Sequence, residues 1–224
     1  MVLFDIDGTL LDTHGLGRDA FIHGLAQVTG VQDDLSYVSF AGNTDLNVLD
    51  QVRAERGLTL TQADRQRIFG CIADELKRRL QEKPAREVPG ARAFLECLDE
   101  AGYIMGLVTG NIRTCAYLKL GSIGLDSFFG FGGFGDDHAD RTEIARVALN
   151  EAKNLGHNIL EGNSCLVGDT PYDVAAGVAI GLPVLGVASG RYDANSLQEA
   201  GAELVVPDLT RTDFLLEWVE NTGK

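Results

Sequence analysis

The sequence predicts an α/β protein: a parallel sheet covered on both faces, with an all-helical segment inserted after the first strand. Three observations carry this. From Pro89 onward, short apolar runs alternate with helix-length amphipathic stretches, the pattern of βα units. Between about residues 16 and 82 no strand signal interrupts a helical pattern. The opening run Val2-Leu3-Phe4 is continuously apolar, as a strand buried on both faces should be, and it ends in Asp5 and Asp7.

Taken in order, Val2–Phe4 is the first strand and Gly8 lets the chain curl straight after it. Residues 18–28 form a helix, with Phe21, Ile22, Leu25 and Val28 near helical spacing and Gly30 closing it. A second helix spans 43–56, started by Asn43 or Thr44 as N-cap and stopped by Gly57. A third runs from Thr61 to about Gln81, where Ile68, Ile72, Leu76 and Leu80 make one apolar stripe and Arg65, Arg67, Lys77, Arg78 and Arg79 a solvated face. Two linkers, 12–15 and 83–88, flank this insert. The expected division is a core of residues 1–14 and 84–224 and a helical cap of 15–83.

Beyond the insert, the expected order is helix 91–101, strand 103–108, helix 112–120, a short glycine-rich strand 128–131, helix 141–153 and strand 164–167. Then come helix 172–180, strand 183–187, a short helix 196–200, strand 203–206, and helix 212–219 burying Phe214, Leu215 and Trp218. Right-handed crossovers follow from such an order.

The 224 residues carry a net charge of −14. That excludes nucleic-acid binding as a main role, which leaves a basic footprint, and disfavours an anionic membrane surface. A phosphorylated substrate would need local cations or a metal to offset the repulsion. Cys71, Cys97, Cys115 and Cys165 are scattered in apolar stretches and read as reduced thiols of a cytoplasmic protein. Asp5 and Asp7 interrupt any early signal-like run, and no stretch approaches the ~18 apolar residues of a membrane span. No segment argues for an obligate interface, so a monomer or weak homodimer is expected.

Four motifs carry chemistry. Acids at the C-terminal end of a buried strand need a reason, and in open α/β sheets that end is where ligands bind. Asp5-x-Asp7-Gly8-Thr9 alone reads equally well as an acidic turn. Thr109-Gly110-Asn111, between a strand and a helix, suits a phosphate, though an ST-turn is the commoner use. Arg141 follows Asp140 in the first turn of its helix, where a cation opposes the helix dipole, so it needs an anionic partner: a ligand, or Asp140 or Glu143 in a salt bridge. Gly168-Asp169-Thr170-Pro171-Tyr172-Asp173 places Thr170 and Pro171 as N-cap and N1, which makes Asp169 surplus to capping.

The combination of Asp5-x-Asp7-Gly8-Thr9 with a later Gly168-Asp169-x-x-x-Asp173 resembles the haloacid dehalogenase superfamily, and within it the phosphoglycolate phosphatase and β-phosphoglucomutase-like group with a helical cap. The match spans nearly the whole chain. The resemblance implies a Rossmann-like core with a mobile cap on two hinges, and a Mg²⁺-dependent phosphatase acting on a small phosphorylated metabolite. It implies Asp5 as nucleophile and Asp7 as general acid/base, where the bland reading is a loop-shaping acid. Mg²⁺ would be held by Asp5, Asp169 and the backbone carbonyl of Asp7, with Asp173 orienting or occasionally ligating. Phosphate would be held by Thr109, Gly110, Asn111 and Arg141, the last replacing the family's usual Lys. Specificity would come from His14, Arg18, Asn43 and Thr44, Arg18 being equally readable as an exposed helix charge. A sugar-phosphate mutase and a non-catalytic phosphate-binding module on the same fold are the alternatives.

Overall fold

The computed structural model describes residues 1–157 and 164–222. Six parallel strands form the main sheet: β1 (Val2–Phe4), β4 (Met105–Val108), β5 (Gly132–Gly133), β6 (Cys165–Gly168), β7 (Val184–Val187) and β8 (Leu204–Val206). Their order is β5-β4-β1-β6-β7-β8. The first strand is therefore central, in register with β4 on one side (Val2 opposite Met105) and β6 on the other (Val2 opposite Cys165).

Side-chain alternation along the strands makes two cores. Val2, Phe4, Leu107, Val167 and Leu185 face one layer, closed by α4 (Ala91–Glu100), α5 (Arg113–Gly121) and α9 (Thr212–Asn221). Leu3, Val108, Leu166 and Val184 face the other, closed by α6 (Arg141–Asn154), α7 (Pro171–Ala179) and α8 (Ala194–Glu199). Burying each large aliphatic side chain stabilises the fold by roughly 1.5–3 kcal/mol.

Between β2 (Leu11–Asp12) and β3 (Arg86–Glu87) lie α1 (Leu16–Thr29), α2 (Asp45–Glu55) and α3 (Gln62–Glu82). The apolar stripe of α3, Ile68 to Leu80, packs with Phe21 and Leu25 of α1 and continues the first core. Thr61 caps α3 in a reciprocal box with Asp64, which satisfies two of the helix's free N–H groups.

Three expectations need correction. The linkers are not plain loops: Asp12 lies opposite Arg86, and Leu11, just before the first linker, lies opposite Glu87, antiparallel. The strand expected at 128–131 is displaced. Asp126–Phe128 forms a 3-10 turn, and the strand falls on Gly132 and Gly133. There the neighbouring backbones come so close that a Cβ on Gly133 would lie 2.0 Å from the Ile144 carbonyl oxygen. At the C-terminus, α9 buries Leu215 and Val219, while Phe214 stays exposed beneath the Arg211 guanidinium and Trp218 is half-buried.

Candidate active site

The C-terminal ends of three adjacent strands meet beneath the helical insertion. Thr109 follows β4, Asp5 follows β1 and Asp169 follows β6. Asp5 extends the ladder by donating its N–H to the Val167 carbonyl (2.9 Å). The chain then turns at once. The Ile6 carbonyl accepts from the N–H groups of Thr9, Leu10 and Leu11, and Gly8 takes φ +87°, a left-handed conformation that glycine adopts without steric cost. This turn leaves Asp5 buried and swings Asp7 outward.

Asp5, Asp169 and Asp173 gather so that one oxygen from each lies within 4.8 Å of the others, all buried. The Arg141 guanidinium pairs with Asp5 and lies 2.5 Å from Asp173. The contact to Asp173 is a charge contact without hydrogen-bond geometry, because that Asp173 oxygen has no hydrogen-bond donor. Its other oxygen accepts from the Thr170 N–H and hydroxyl, closing a capping box on α7. Burial is the first cause that pushes the Asp5 carboxyl up to about 7, with Arg141 opposing and Asp173 and Asp7 adding. Burial, then Asp5 and Asp173, push Asp169 up to about 9. Three carboxylates against one guanidinium leave a net charge of −2 when all are ionised. An all-oxygen donor set with that deficit fits a hard divalent cation.

Asp169 is also fixed by sterics. A Cβ on Gly8 would lie 2.2 Å from its carboxylate, and one on Gly190 1.7 Å. Only bare backbone on both sides leaves the carboxylate its place.

Beyond the acids, a cavity of about 490 Å³ opens between the core and the helical insertion. Its floor includes Asp5, Asp7, Thr109 and Asp169, and its roof includes Phe21 and Phe40.

The family model for haloacid dehalogenase-like hydrolases matches residues 2–187. The chain belongs to this family. Among curated relatives, a phosphoglycolate phosphatase of Agrobacterium fabrum is 27% identical over 219 residues, covering 96% of this chain and 88% of the relative. The pyrophosphatase PpaX of Bacillus velezensis is 30% identical over 194 residues, covering 84% and 82%. A solved hydrolase from Pseudomonas syringae shares the fold, with a TM-score of 0.72 at 23% identity and 97% of each chain covered.

In this haloacid dehalogenase-like hydrolase, Arg141 meets neither Asp140 nor Glu143; the Glu143 carboxylate pairs with Arg146 instead. Asn111 spans the site sideways: its amide donates to Asp7 (2.6 Å) and to the Thr109 hydroxyl (2.8 Å). Gly110 offers its carbonyl to the Asp45 N–H (2.7 Å), which ties α2 to the core. The carboxylate of Asp7 stands outside the acidic trio, held by Lys119 and Asn111; the ligand expected from this residue is its backbone carbonyl.

Two expected specificity residues are placed elsewhere. Thr44 is buried as the N-cap of α2: it accepts from the Asn47 N–H and donates to the Ala139 carbonyl, so both functions of its hydroxyl are used. His14 is exposed, lies outside the cavity lining and pairs with Asp12. Arg18 and Asn43 do line the cavity. Arg18 donates to the Asp34 carbonyl and lies over Phe40. Asn43 donates to the Ser39 carbonyl and accepts from Thr44 and Asn47.

Sequence reasoning missed Lys119, whose ammonium touches Asp7 and Asn111. One signal was present: Lys119 shares the buried side of its helix with Cys115 and Ala116, where a charge is out of place. Gly190 carried no signal, since a close approach across 21 residues of chain has no local signature.

Proposed function

We propose that this hydrolase is a Mg²⁺-dependent phosphomonoester phosphatase acting on a small, phosphoglycolate-like metabolite through an aspartyl-phosphate intermediate. The observation that carries the reading is the convergence of Asp5, Thr109 and Asp169 at adjacent strand ends with Arg141 at the start of α6, and Asp7 facing the same cavity.

In this reading an Asp5 carboxylate oxygen attacks phosphorus as the bond from phosphorus to the ester oxygen breaks. Asp7 gives its proton to the departing oxygen, so the alcohol leaves neutral. Water then attacks the phosphorus of the aspartyl-phosphate, Asp7 takes the water's proton, and inorganic phosphate leaves with Asp5 restored. Thr109 donates its hydroxyl to a phosphoryl oxygen, and Arg141, already on Asp5, orients nucleophile and phosphate together. Asp5, Asp169 and the Asp7 carbonyl would hold Mg²⁺, with Asp173 beside them; the bound ion supplies positive charge against the carboxylates and the substrate phosphate. In this reading Arg18, which lines the cavity, would meet an anionic leaving group such as glycolate.

The test is release of inorganic phosphate from a panel of small esters, including 2-phosphoglycolate and hexose phosphates, with Mg²⁺ and with chelator. Metal-dependent release that disappears in Asp5→Asn is expected. Release that survives in Asp5→Asn would sink the reading, and isomerisation of a hexose 1-phosphate without phosphate release would transfer it to a mutase.

A further inference from the structure

The reaction just described leaves one buried cation unused. Lys119 sits near the end of α5 and is only 4% exposed. Lysine is almost never buried unpaired, and desolvating an ammonium costs several kcal/mol. A leucine would fill this helix position without that cost, so the charge is explained by what it touches. An ammonium has three donors, and three acceptors surround this one: Asp7 Oδ1 at 2.8 Å, Asp7 Oδ2 at 2.6 Å and Asn111 Oδ1 at 2.6 Å. Asn111 closes the ring by donating to Asp7 Oδ2. Among the described residues the site's two buried cations are thus divided between the proposed nucleophile and the proposed acid/base: Arg141 is on Asp5, and Lys119 is on Asp7.

We propose that Lys119 is a positioning residue for proton transfer. It holds the Asp7 carboxylate, itself about 40% exposed to the cavity, in the orientation that meets the leaving-group oxygen and then the attacking water. Lys119 keeps its own proton throughout; the proton that moves belongs to Asp7, then to water. Attack by Asp5 on phosphorus does not pass through Lys119. The inference rests on the phosphatase reading, with Asp7 as acid and base.

The experiment compares two esters. Nitrophenolate leaves without needing a proton, whereas the alkoxide of an alkyl phosphate does not. With p-nitrophenyl phosphate, the pre-steady-state burst reports attack by Asp5; with 2-phosphoglycolate, or whichever alkyl ester the wild type cleaves best, kcat reports the proton-dependent steps. Lys119→Met is expected to leave the burst within about threefold of wild type, lower kcat on the alkyl ester by about 100-fold, and leave KM nearly unchanged. In an Asp7→Asn background the same substitution is expected to add almost nothing, because the two residues act as one unit. Where thermal unfolding shows the Met variant to be poorly folded, Lys119→Gln, which keeps a donor without the charge, carries the same comparison. Equal losses in burst and kcat, a raised KM at unchanged kcat, or additive losses in the Asp7→Asn background would overturn the proposal. A wild-type protein inert toward every ester would instead overturn the phosphatase reading, and this inference with it.

Discussion

Gly190 leaves no free space beside Asp169: a Cβ there would stand 1.7 Å from the carboxylate oxygen. Gly190→Ala therefore pushes Asp169 out of its place among the acids without touching the sheet. The Mg²⁺ concentration needed for half-maximal phosphate release is expected to rise by at least about tenfold, the usual scale for displaced support of a metal ligand. Circular dichroism should show an intact fold. An unchanged Mg²⁺ requirement would remove Asp169 from the ligand set.

The same crowding gives a pH signature. Asp5 and Asp169 are held at about 7 and about 9, against 3.8 for a free aspartate. A folded-state pKa above the unfolded one means that the folded protein binds more protons between the two values, so stability falls as pH rises through that interval. The contribution is fully present below about pH 4 and is lost by about pH 9. Melting temperature in chelator should fall from pH 5 to pH 9, and Mg²⁺ should flatten the decline. A melting temperature that climbs across that range in chelator contradicts the raised values.

Arg141 is the only cation in contact with Asp5 and Asp173 among the described residues. Arg141→Met leaves both carboxylates buried and unpaired, which costs about 3–5 kcal/mol. Urea unfolding in chelator measures this, and Mg²⁺ should recover part of the loss. A cost under about 1 kcal/mol would mean that the carboxylates protonate easily or that the site hydrates.

Two threonines separate structure from binding. Thr44→Ala removes an N-cap and should cost about 1 kcal/mol of stability, leaving the inhibition constant of inorganic phosphate unchanged. Thr109→Val keeps its shape but loses the hydroxyl that the phosphatase reading assigns to the substrate phosphate, and should weaken phosphate inhibition by about tenfold or more. The reverse pattern would exchange their roles.

Most of the sheet was legible because each strand is short, apolar and bounded by turn residues, and most helices because their stripes repeat every three or four residues. The edge strand at Gly132–Gly133 was misplaced for a physical reason: its residues are dictated by how closely α6 approaches, not by strand propensity. Asp5, Arg141 and Asp169 stood out because each breaks a local expectation at a strand or helix end; Thr109, which an ST-turn alone would explain, entered through the family resemblance, and all four line one cavity. Thr44 was read both as an N-cap and as a specificity residue because a capping hydroxyl and a ligand hydroxyl look alike in sequence; in the structure its hydroxyl caps α2. Lys119 was passed over because its partner is 112 residues away, and only the folded chain brings the two together.

The ribbon of β2 and β3 sets how the helical segment joins the core. The excursion through three helices leaves the core at Asp12 and returns at Arg86, and these two residues are direct cross-strand neighbours. Cα atoms in such a pair are only about 4.5–5.5 Å apart, a gap that a two-residue hairpin turn spans. The helical segment thus leaves and re-enters the core at one place, while its Phe21, Leu25, Ile68 and Leu76 side chains join the first hydrophobic core. The floor of the cavity and its helical roof are joined at this ribbon and again where the Asp45 N–H meets the Gly110 carbonyl.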